Sequence, residues 1–259
     1  MKKFAVYKCL IGNYDILLNE NQSHDEIDYF LFTDNPNLNI FPYKTILVNK
    51  NKTSSAIANR FYKIKIPEVL HNYAATMYLD SNISIVGNVL GLMKNFLKSN
   101  AEIGLFMHPY HTSQAEDIDL CIKNNKCNIS KLNEELNFYK SIEYKEPENF
   151  SDNSVLIRKK YNFKLEAAMN EWYDLVDRYS GRDQISLPII RSIHGLDDYF
   201  HEFSPRNRAN GYFLIFPHKR SLFYDSFFDV LKFYLKFIVK IFQKKYMYYS
   251  GSLRNGIKK

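Results

Sequence analysis

Two short apolar runs near the start of the chain constrain its fold more than any other feature. Residues 4–10 are followed by Gly12 and Asn13, and residues 28–33 are followed by Asp34. Each run is rich in β-forming side chains and closes in polar turn residues, which is typical of buried strands in a parallel sheet. The sequence therefore predicts two such strands at the start of the fold.

Strand-like and helix-like segments then alternate along the chain. Further strands are predicted at 44–48, 75–79, 103–107, 154–158 and 212–216, and helices at 53–66, 86–97, 113–143 with a break near 124–128, 161–179 and 183–193. Alternation of this kind produces a mostly parallel sheet covered on both faces. We therefore expect an α/β fold, a single Rossmann-type domain over residues 1–218.

The composition agrees with one domain of this size. The 259 residues are 46% hydrophobic and 16% aromatic, which excludes a largely disordered chain and allows a sizeable core. Three cysteines form no even disulfide framework, so we expect a reducing, cytoplasmic location, and we expect no signal peptide.

Several candidate site residues follow predicted strands, where open α/β sheets bind their ligands. These residues are Gly12, Asn13, Tyr14, Asp34, Asp80, Asn82 and His108. Asp80 and Asn82 follow the buried run at 75–79, and such short oxygen ligands can hold a divalent cation that neutralises a diphosphate. A strand that ends in an ordinary polar turn would explain the same residues without any function.

Charged residues on two predicted helices add to this picture. Arg60 and Lys63 are three residues apart, so they share a helix face and could hold a diphosphate, although a solvated basic face is the alternative. Asp183 begins a later helix, where a plain capping role is the alternative to a chemical one.

The histidines and cysteines suggest zinc only weakly. His108, His111, Cys121 and Cys127 lack the spacing of common zinc sites, so zinc is a minor alternative and His108 is expected to line the pocket. His218 follows the last predicted strand. An ordinary surface position explains this histidine as well as a role in the site does.

The sequence resembles the TOD/MUCI-like family of hexosyltransferases. The resemblance rests on segments 7–15, 29–34, 78–82 and 182–186, on the spacing of Arg60, Lys63 and Pro67, and on His108-Pro109 with Glu116. It extends from the first strand to about residue 218 and implies a GT-A-like glycosyltransferase that uses a nucleotide-sugar.

The resemblance also implies roles for individual residues. Asp183 would face the acceptor hydroxyl, as general base if the reaction inverts or as a group that orients the acceptor or the sugar if it retains, and His108 would lie at the reacting centre. The donor would be bound by Gly12, Asn13, Tyr14, Asp34, Arg60, Lys63 and Gln184. Asp80, Asn82 and His218 would hold Mn²⁺ or Mg²⁺, although Asn82 replaces the second carboxylate of an Asp-x-Asp motif with a weaker, neutral ligand.

Residues 219–259 are predicted to form a basic C-terminal tail that associates with membranes through an amphipathic helix at 227–242. It contains ten of the basic residues and two acidic ones, so the net charge of +7 lies here and the body is nearly neutral, unlike a nucleic-acid reader. Lys232, Lys236, Lys240 and Lys244 recur every fourth residue between apolar side chains, a pattern typical of helices that lie on anionic membranes. Docking on the chain's own domain or on a second subunit is the alternative.

These observations together predict a cytoplasmic enzyme on the inner face of the cell membrane. It would move a hexose from a UDP- or GDP-linked donor to a glycan or lipid-linked glycan acceptor, in the biosynthesis of a surface polysaccharide such as capsule or lipopolysaccharide. The alternatives are another metal-dependent nucleotide enzyme, such as a nucleotidyltransferase, and a non-catalytic module that recruits partners to a membrane.

Overall fold

A seven-stranded sheet forms the centre of the fold in the computed structural model, which describes residues 3–15, 17–49, 53–147, 149–207, 209–218 and 227–256. Its strands are β1 (Phe4–Leu10), β2 (Ile27–Thr33), β3 (Lys44–Leu47), β4 (Ala75–Leu79), β6 (Ile103–Phe106), β7 (Val155–Lys159) and β8 (Asp198–His201). Two further strands, β5 (Ile83–Ile85) and β9 (Phe213–Ile215), pair with each other in a small antiparallel sheet.

The central sheet is mostly parallel, as the sequence predicts. Its order is β3-β2-β1-β4-β7-β6-β8, and β7 alone among these strands runs antiparallel to its neighbours. The carboxyl ends of the other strands therefore share one edge with the amino end of β7. Residues just before β7 and just after β8 consequently lie at the same edge as those that follow β1, β2 and β4.

The described helices are α1 (Ser55–Ile64), α2 (Val89–Lys98), α3 (Gln114–Lys123), α4 (Ile129–Ser141), α5 (Phe163–Arg178), α6 (Asp183–His194) and α7 (Phe227–Gly256), with a short 3-10 turn at Glu68–Leu70. The first six agree with the predicted segments to within a few residues. The predicted break near 124–128 separates α3 from α4. Strand β8 has no counterpart among the predicted segments.

Two apolar layers cover the two faces of the sheet. Along β1, Tyr7 and Cys9 point into a core shared with α1, α5 and α6, whereas Val6 and Leu10 point into a core shared with α2. This alternation follows from the two-residue repeat of a strand. Both faces are buried, so the chemistry must lie at an edge of the sheet.

Helix α7 packs against the small sheet and does not stand apart from the domain. The ring of Phe237 lies 5.4 Å from that of Phe216, and the Lys244 ammonium is buried, 3.1 Å from Ser84 Oγ and 3.5 Å from Glu20 Oε2. The predicted stripe of outward-facing lysines is therefore wrong at Lys244, because the body supplies buried oxygen partners for this ammonium.

The remaining part of the C-terminal prediction stays open. Residues 219–226 and 257–259 lie outside the described residues, and no described helix combines the length and the apolar character needed to cross a bilayer. The proposed boundary at residue 218 therefore remains a prediction.

Candidate active site

The turn after β1 is fixed by the carboxylate that follows β2. The Gly12 N–H donates to both oxygens of Asp34, at 3.1 and 3.2 Å. Gly12 has a φ of +85°, and a Cβ atom there would lie 2.3 Å from the Oγ of Ser55. Only glycine meets both conditions without strain, so the turn closes tightly on the start of α1.

Asn59 joins this turn to helix α1. Its side-chain oxygen accepts a hydrogen bond from the Ile11 N–H at 3.1 Å, and its amide nitrogen donates to the Ile11 carbonyl at 2.9 Å. Asn59 was not predicted as a site residue from the sequence. The pairing fixes the helix that carries Arg60 and Lys63 directly beside the end of β1.

A surface cleft opens beyond β2 and β3. It has a volume of about 570 Å³ and is lined by Asp34, Pro36, Leu47, Val48 and Asn49. Leu47 and Val48 give it an apolar wall, and Asp34 is the one carboxylate among its lining residues. Asp34 belongs both to this cleft and to the Gly12 turn, so the two features adjoin.

Four charged side chains meet beside this turn. The Lys63 ammonium lies 2.6 Å from Asp183 Oδ2 and 3.4 Å from Asp80 Oδ1, and Arg60 Nε lies 3.6 Å from Asp183 Oδ1. The Tyr78 hydroxyl donates to Asp80 Oδ1 at 3.0 Å. The structure thus brings together Arg60, Lys63, Asp80 and Asp183, which come from three separate elements.

The shared cations set the protonation of the two carboxyl groups. Burial would raise the pKa of Asp183, but the positive charges of Lys63 and Arg60 outweigh it and hold this pKa well below its usual value. Burial raises the pKa of Asp80, Lys63 opposes that shift, and the charge of Asp183 adds to it. Asp183 is therefore ionised and weakly basic while these cations remain in contact with it.

A second polar group lies next to Asp80. Asp15 Oδ2 accepts a hydrogen bond from Ser81 Oγ at 2.9 Å and lies 2.9 Å from His218 Nδ1. The hydrogen bond to Asp15 raises the pKa of His218. Burial and the charge of Asp80 raise the pKa of Tyr14, so its phenol stays neutral. Asp15 was not predicted as a site residue, although it lies in the matching segment 7–15.

The residues expected to hold a divalent cation offer Asp80 as their one carboxylate. Asn82 is buried, and its side-chain nitrogen donates to the Phe216 carbonyl at 2.7 Å, which leaves the neutral Oδ1 as its possible metal ligand. His218 contacts Asp15 through Nδ1, which leaves Nε2 as its possible ligand. Within the described chain, no trio of His, Cys, Asp or Glu ligand atoms that includes Asp80 lies within 4.8 Å. The Lys63 ammonium contacts Asp80 where a metal would compete for the carboxylate.

Another cluster follows β6. His108, His111 and Asp117 place ligand atoms within 4.8 Å of one another, and His111 Nδ1 lies 3.3 Å from Asp117 Oδ1. However, His108 Nδ1 accepts the His111 backbone N–H at 2.8 Å. That nitrogen has no free lone pair for a metal, and the proton of neutral His108 resides on Nε2. Burial lowers the pKa of His108, which favours this neutral form.

Gln184 does not present a free amide to the site. Its oxygen accepts the Asn153 N–H at 3.2 Å and its nitrogen donates to the Ser151 carbonyl. These contacts attach the start of α6 to the loop before β7. In this structure Gln184 therefore supports that loop, and direct donor binding by its side chain would require these bonds to break.

Sequence reasoning missed Asp152 and Arg206. Asp152 precedes the antiparallel strand β7, and its Oδ2 lies 2.7 Å from Arg206 Nε, in the loop after β8. Arg206 is close enough to Asp80 for each charge to affect the pKa of the other group. Neither residue belongs to a local motif, so only the strand order could have shown that both reach this edge.

The chain belongs to the family described as TOD1/MUCI70, glycosyltransferase-like domain, whose sequence model matches residues 1–202. The resemblance found in the sequence is thereby confirmed, and the protein is a glycosyltransferase-like α/β protein. No curated protein matched the sequence.

Two solved structures are similar in outline. The apo crystal structure of mouse xyloside xylosyltransferase 1 aligns with a TM-score of 0.45 and 10% identity, over 76% of this chain and 84% of that chain. The apo structure of the bifunctional glycosyltransferase WbbM aligns with a TM-score of 0.45 and 13% identity, over 91% of this chain and 44% of that chain.

Proposed function

We propose that this protein transfers a hexose from a UDP- or GDP-linked donor to a glycan or lipid-linked glycan acceptor. The meeting of Arg60 and Lys63 with Asp80 and Asp183, at the edge where β1 and β4 end, is the observation that carries the proposal. Two cations at the sheet edge that also carries the cleft beside Asp34 suit a diphosphate that bears a nucleoside on one side and a sugar on the other.

Each part of the site has a role in this proposal. The cleft beside Asp34 would hold the nucleoside, and the Gly12–Tyr14 turn would close over it. Arg60 and Lys63 would bind the diphosphate. The expected Mn²⁺ or Mg²⁺ cofactor stays a prediction, and Asp80 would be the one carboxylate among its expected ligands.

The reaction transfers a glycosyl group. The acceptor hydroxyl oxygen forms a bond to the anomeric carbon, the bond from that carbon to the diphosphate oxygen breaks, and the nucleoside diphosphate leaves with the bonding electrons. The hydroxyl proton must pass to a base. Asp183 qualifies once the diphosphate competes for Lys63 and Arg60, because its low basicity depends on those two cations.

His108 is proposed to orient a substrate. Its Nδ1 accepts a backbone N–H, so its Nε2–H is the group that can donate to a sugar hydroxyl. This assignment makes His108 a hydrogen-bond donor, and leaves proton removal to Asp183.

The location at a membrane and the role in surface polysaccharide synthesis belong to the same proposal. Helix α7 exposes Leu235, Val239 and Phe242, with Lys232 and Lys236 also exposed. Apolar and cationic side chains exposed together favour the surface of an anionic membrane. A membrane-held acceptor would be a reason for such a helix on a cytoplasmic enzyme.

Release of UDP or GDP from a panel of nucleotide-sugars, with and without oligosaccharide acceptors, tests the function. Wild-type protein is expected to release the diphosphate from at least one donor. Asp183→Asn should lower the acceptor-dependent rate by about 10²-fold or more. Asp119→Asn, an exposed carboxylate on α3, serves as the matched control and should match wild type. Absence of release from every donor tested would contradict the proposal.

A further inference from the structure

The carboxylate of Asp80 already has a cation beside it. Lys63 Nζ lies 3.4 Å from Asp80 Oδ1 and 2.6 Å from Asp183 Oδ2, so one ammonium joins both carboxylates. The Lys63 side chain is 9% exposed, whereas that of Asp80 is 32% exposed. A ligand that reaches the exposed part of Asp80 is therefore also close to the Lys63 ammonium.

The ligands expected for a divalent ion at this place carry little negative charge. Asn82 could offer only its neutral Oδ1, because its nitrogen donates to the Phe216 carbonyl, and His218 could offer only Nε2, because Nδ1 contacts Asp15. Mg²⁺ prefers six oxygen ligands in near-octahedral geometry, and Mn²⁺ also favours oxygen ligands. Asp80 is the one carboxylate among the expected ligands, and a second cation beside it would be repelled by Lys63.

Positively charged side chains lie where they could neutralise a diphosphate without a metal ion. Arg60 Nε is buried, makes no hydrogen bond within the described structure, and lies 3.6 Å from Asp183. Arg206 reaches the same edge from the loop after β8, with 44% of its side chain exposed. The planar guanidinium groups of both arginines match phosphate oxygens in pairs.

We propose that Lys63, with Arg60 and Arg206, binds and neutralises the donor diphosphate in place of an essential Mn²⁺ or Mg²⁺. The proposal rests on the proposed function, since it concerns the diphosphate of the same donor. On donor binding, the Lys63 ammonium moves from a contact shared by two carboxylates to one shared with phosphate oxygens. The diphosphate leaving group then departs with its charge balanced by side chains.

Calorimetry with UDP and with GDP, in EDTA and in Mn²⁺, tests the proposal on the full-length protein. At least one diphosphate is expected to bind in EDTA with a Kd within about threefold of its value in Mn²⁺. Lys63→Met should weaken this metal-free binding at least tenfold, and Arg206→Gln should weaken it about threefold or more. Lys98→Met, an exposed lysine on α2, should bind as wild type does.

Folding of the Lys63 variant is checked separately, and its response to Mn²⁺ gives a further test. Circular dichroism and thermal unfolding must show that Lys63→Met is folded, and Arg60→Gln provides a second variant if it is not. In Lys63→Met, Mn²⁺ is expected to recover part of the lost affinity, because the substitution opens the space between Asp80 and Asp183.

Two results would overturn the inference. One is binding of UDP or GDP by wild type in Mn²⁺ but not in EDTA, which would leave the proposed transferase function in place. The other is metal-free binding by Lys63→Met as tight as that of wild type. Failure of both diphosphates to bind under either condition would contradict the proposed function as well, so the two failures are distinguishable.

Discussion

Lys63 on α1 and Asp183 at the first position of α6 form an ion pair of 2.6 Å at the carboxyl edge of the sheet. The two residues are far apart in sequence, and each is largely buried. Their contact links the helix that fixes the first turn to the helix that carries the proposed base. It therefore couples the stability of the fold to the state of the candidate site.

The ion pair predicts a pH-dependent effect of Asp183→Asn. The folded pKa of Asp183 lies below its usual value of 3.8, so its contribution is present above that value and is lost as pH falls toward the folded pKa. We expect Asp183→Asn to lower the free energy of unfolding by about 1–3 kcal/mol at pH 7. Urea unfolding between pH 7 and pH 3 should show the difference from wild type shrinking below about pH 4. A constant difference would contradict the ion pair.

Gly12→Ala should be more harmful than an ordinary glycine substitution at positive φ. A Cβ at residue 12 would lie 2.3 Å from Ser55 Oγ, whereas a Cβ at Gly195, with φ +54°, meets nothing within 4 Å. We expect Gly195→Ala to cost roughly 1–2 kcal/mol from backbone strain alone. Gly12→Ala should cost about 1–3 kcal/mol more, from overpacking, in urea unfolding. Equal losses would show that the turn does not pack tightly on α1.

His218 should titrate above its usual value. The hydrogen bond to Asp15 raises its pKa from 6.5, so its contribution to stability is present below that value and is lost as pH rises through the folded pKa. NMR titration of the imidazole should show this raised pKa, and Asp15→Asn should lower it. The pKa of His24, which burial lowers, provides an internal reference and should not move. An unchanged His218 pKa in Asp15→Asn would show that Asp15 does not hydrogen-bond to His218.

Two adjacent lysines on α7 should behave differently. Lys244 is buried against Glu20 and Ser84, whereas Lys245 is exposed. We expect Lys244→Met to speed amide hydrogen exchange in α7 about tenfold, because charged hydrogen bonds to the body are lost. Lys245→Met should leave exchange unchanged. Similar exchange in the two variants would mean that Lys244 does not hold the helix in place.

The exposed apolar side chains of α7 predict binding to anionic vesicles. Leu235 and Phe242 are 55% and 67% exposed. Sedimentation with phosphatidylserine-containing vesicles should show about tenfold weaker binding for each of Leu235→Glu and Phe242→Glu, since apolar burial is replaced by a charge. The exposed Asp119→Asn variant should sediment as wild type does. Unaltered sedimentation of both α7 variants would contradict the membrane proposal.

Much of the fold could be predicted because its signals are local. Strand β4 lies where the apolar run at 75–79 predicts it, and the break between α3 and α4 falls near 124–128. The position of Asp34 and Asp80 after parallel strands followed from these segments. The pairing of β5 with β9 could not be predicted from the sequence, because the two strands have only three residues each and are far apart in sequence.

The sequence alone determined which segments become strands and helices, the family, and the presence of short polar residues after β1, β2 and β4. Only the tertiary structure decided that one ammonium serves both Asp80 and Asp183, that Asp152 and Arg206 reach the same edge, and that Lys244 turns inward. The reason is physical. Local patterns report burial and backbone preference, whereas the partner of a buried charge depends on which distant element supplies an oppositely charged or hydrogen-bonding atom within about 3 Å.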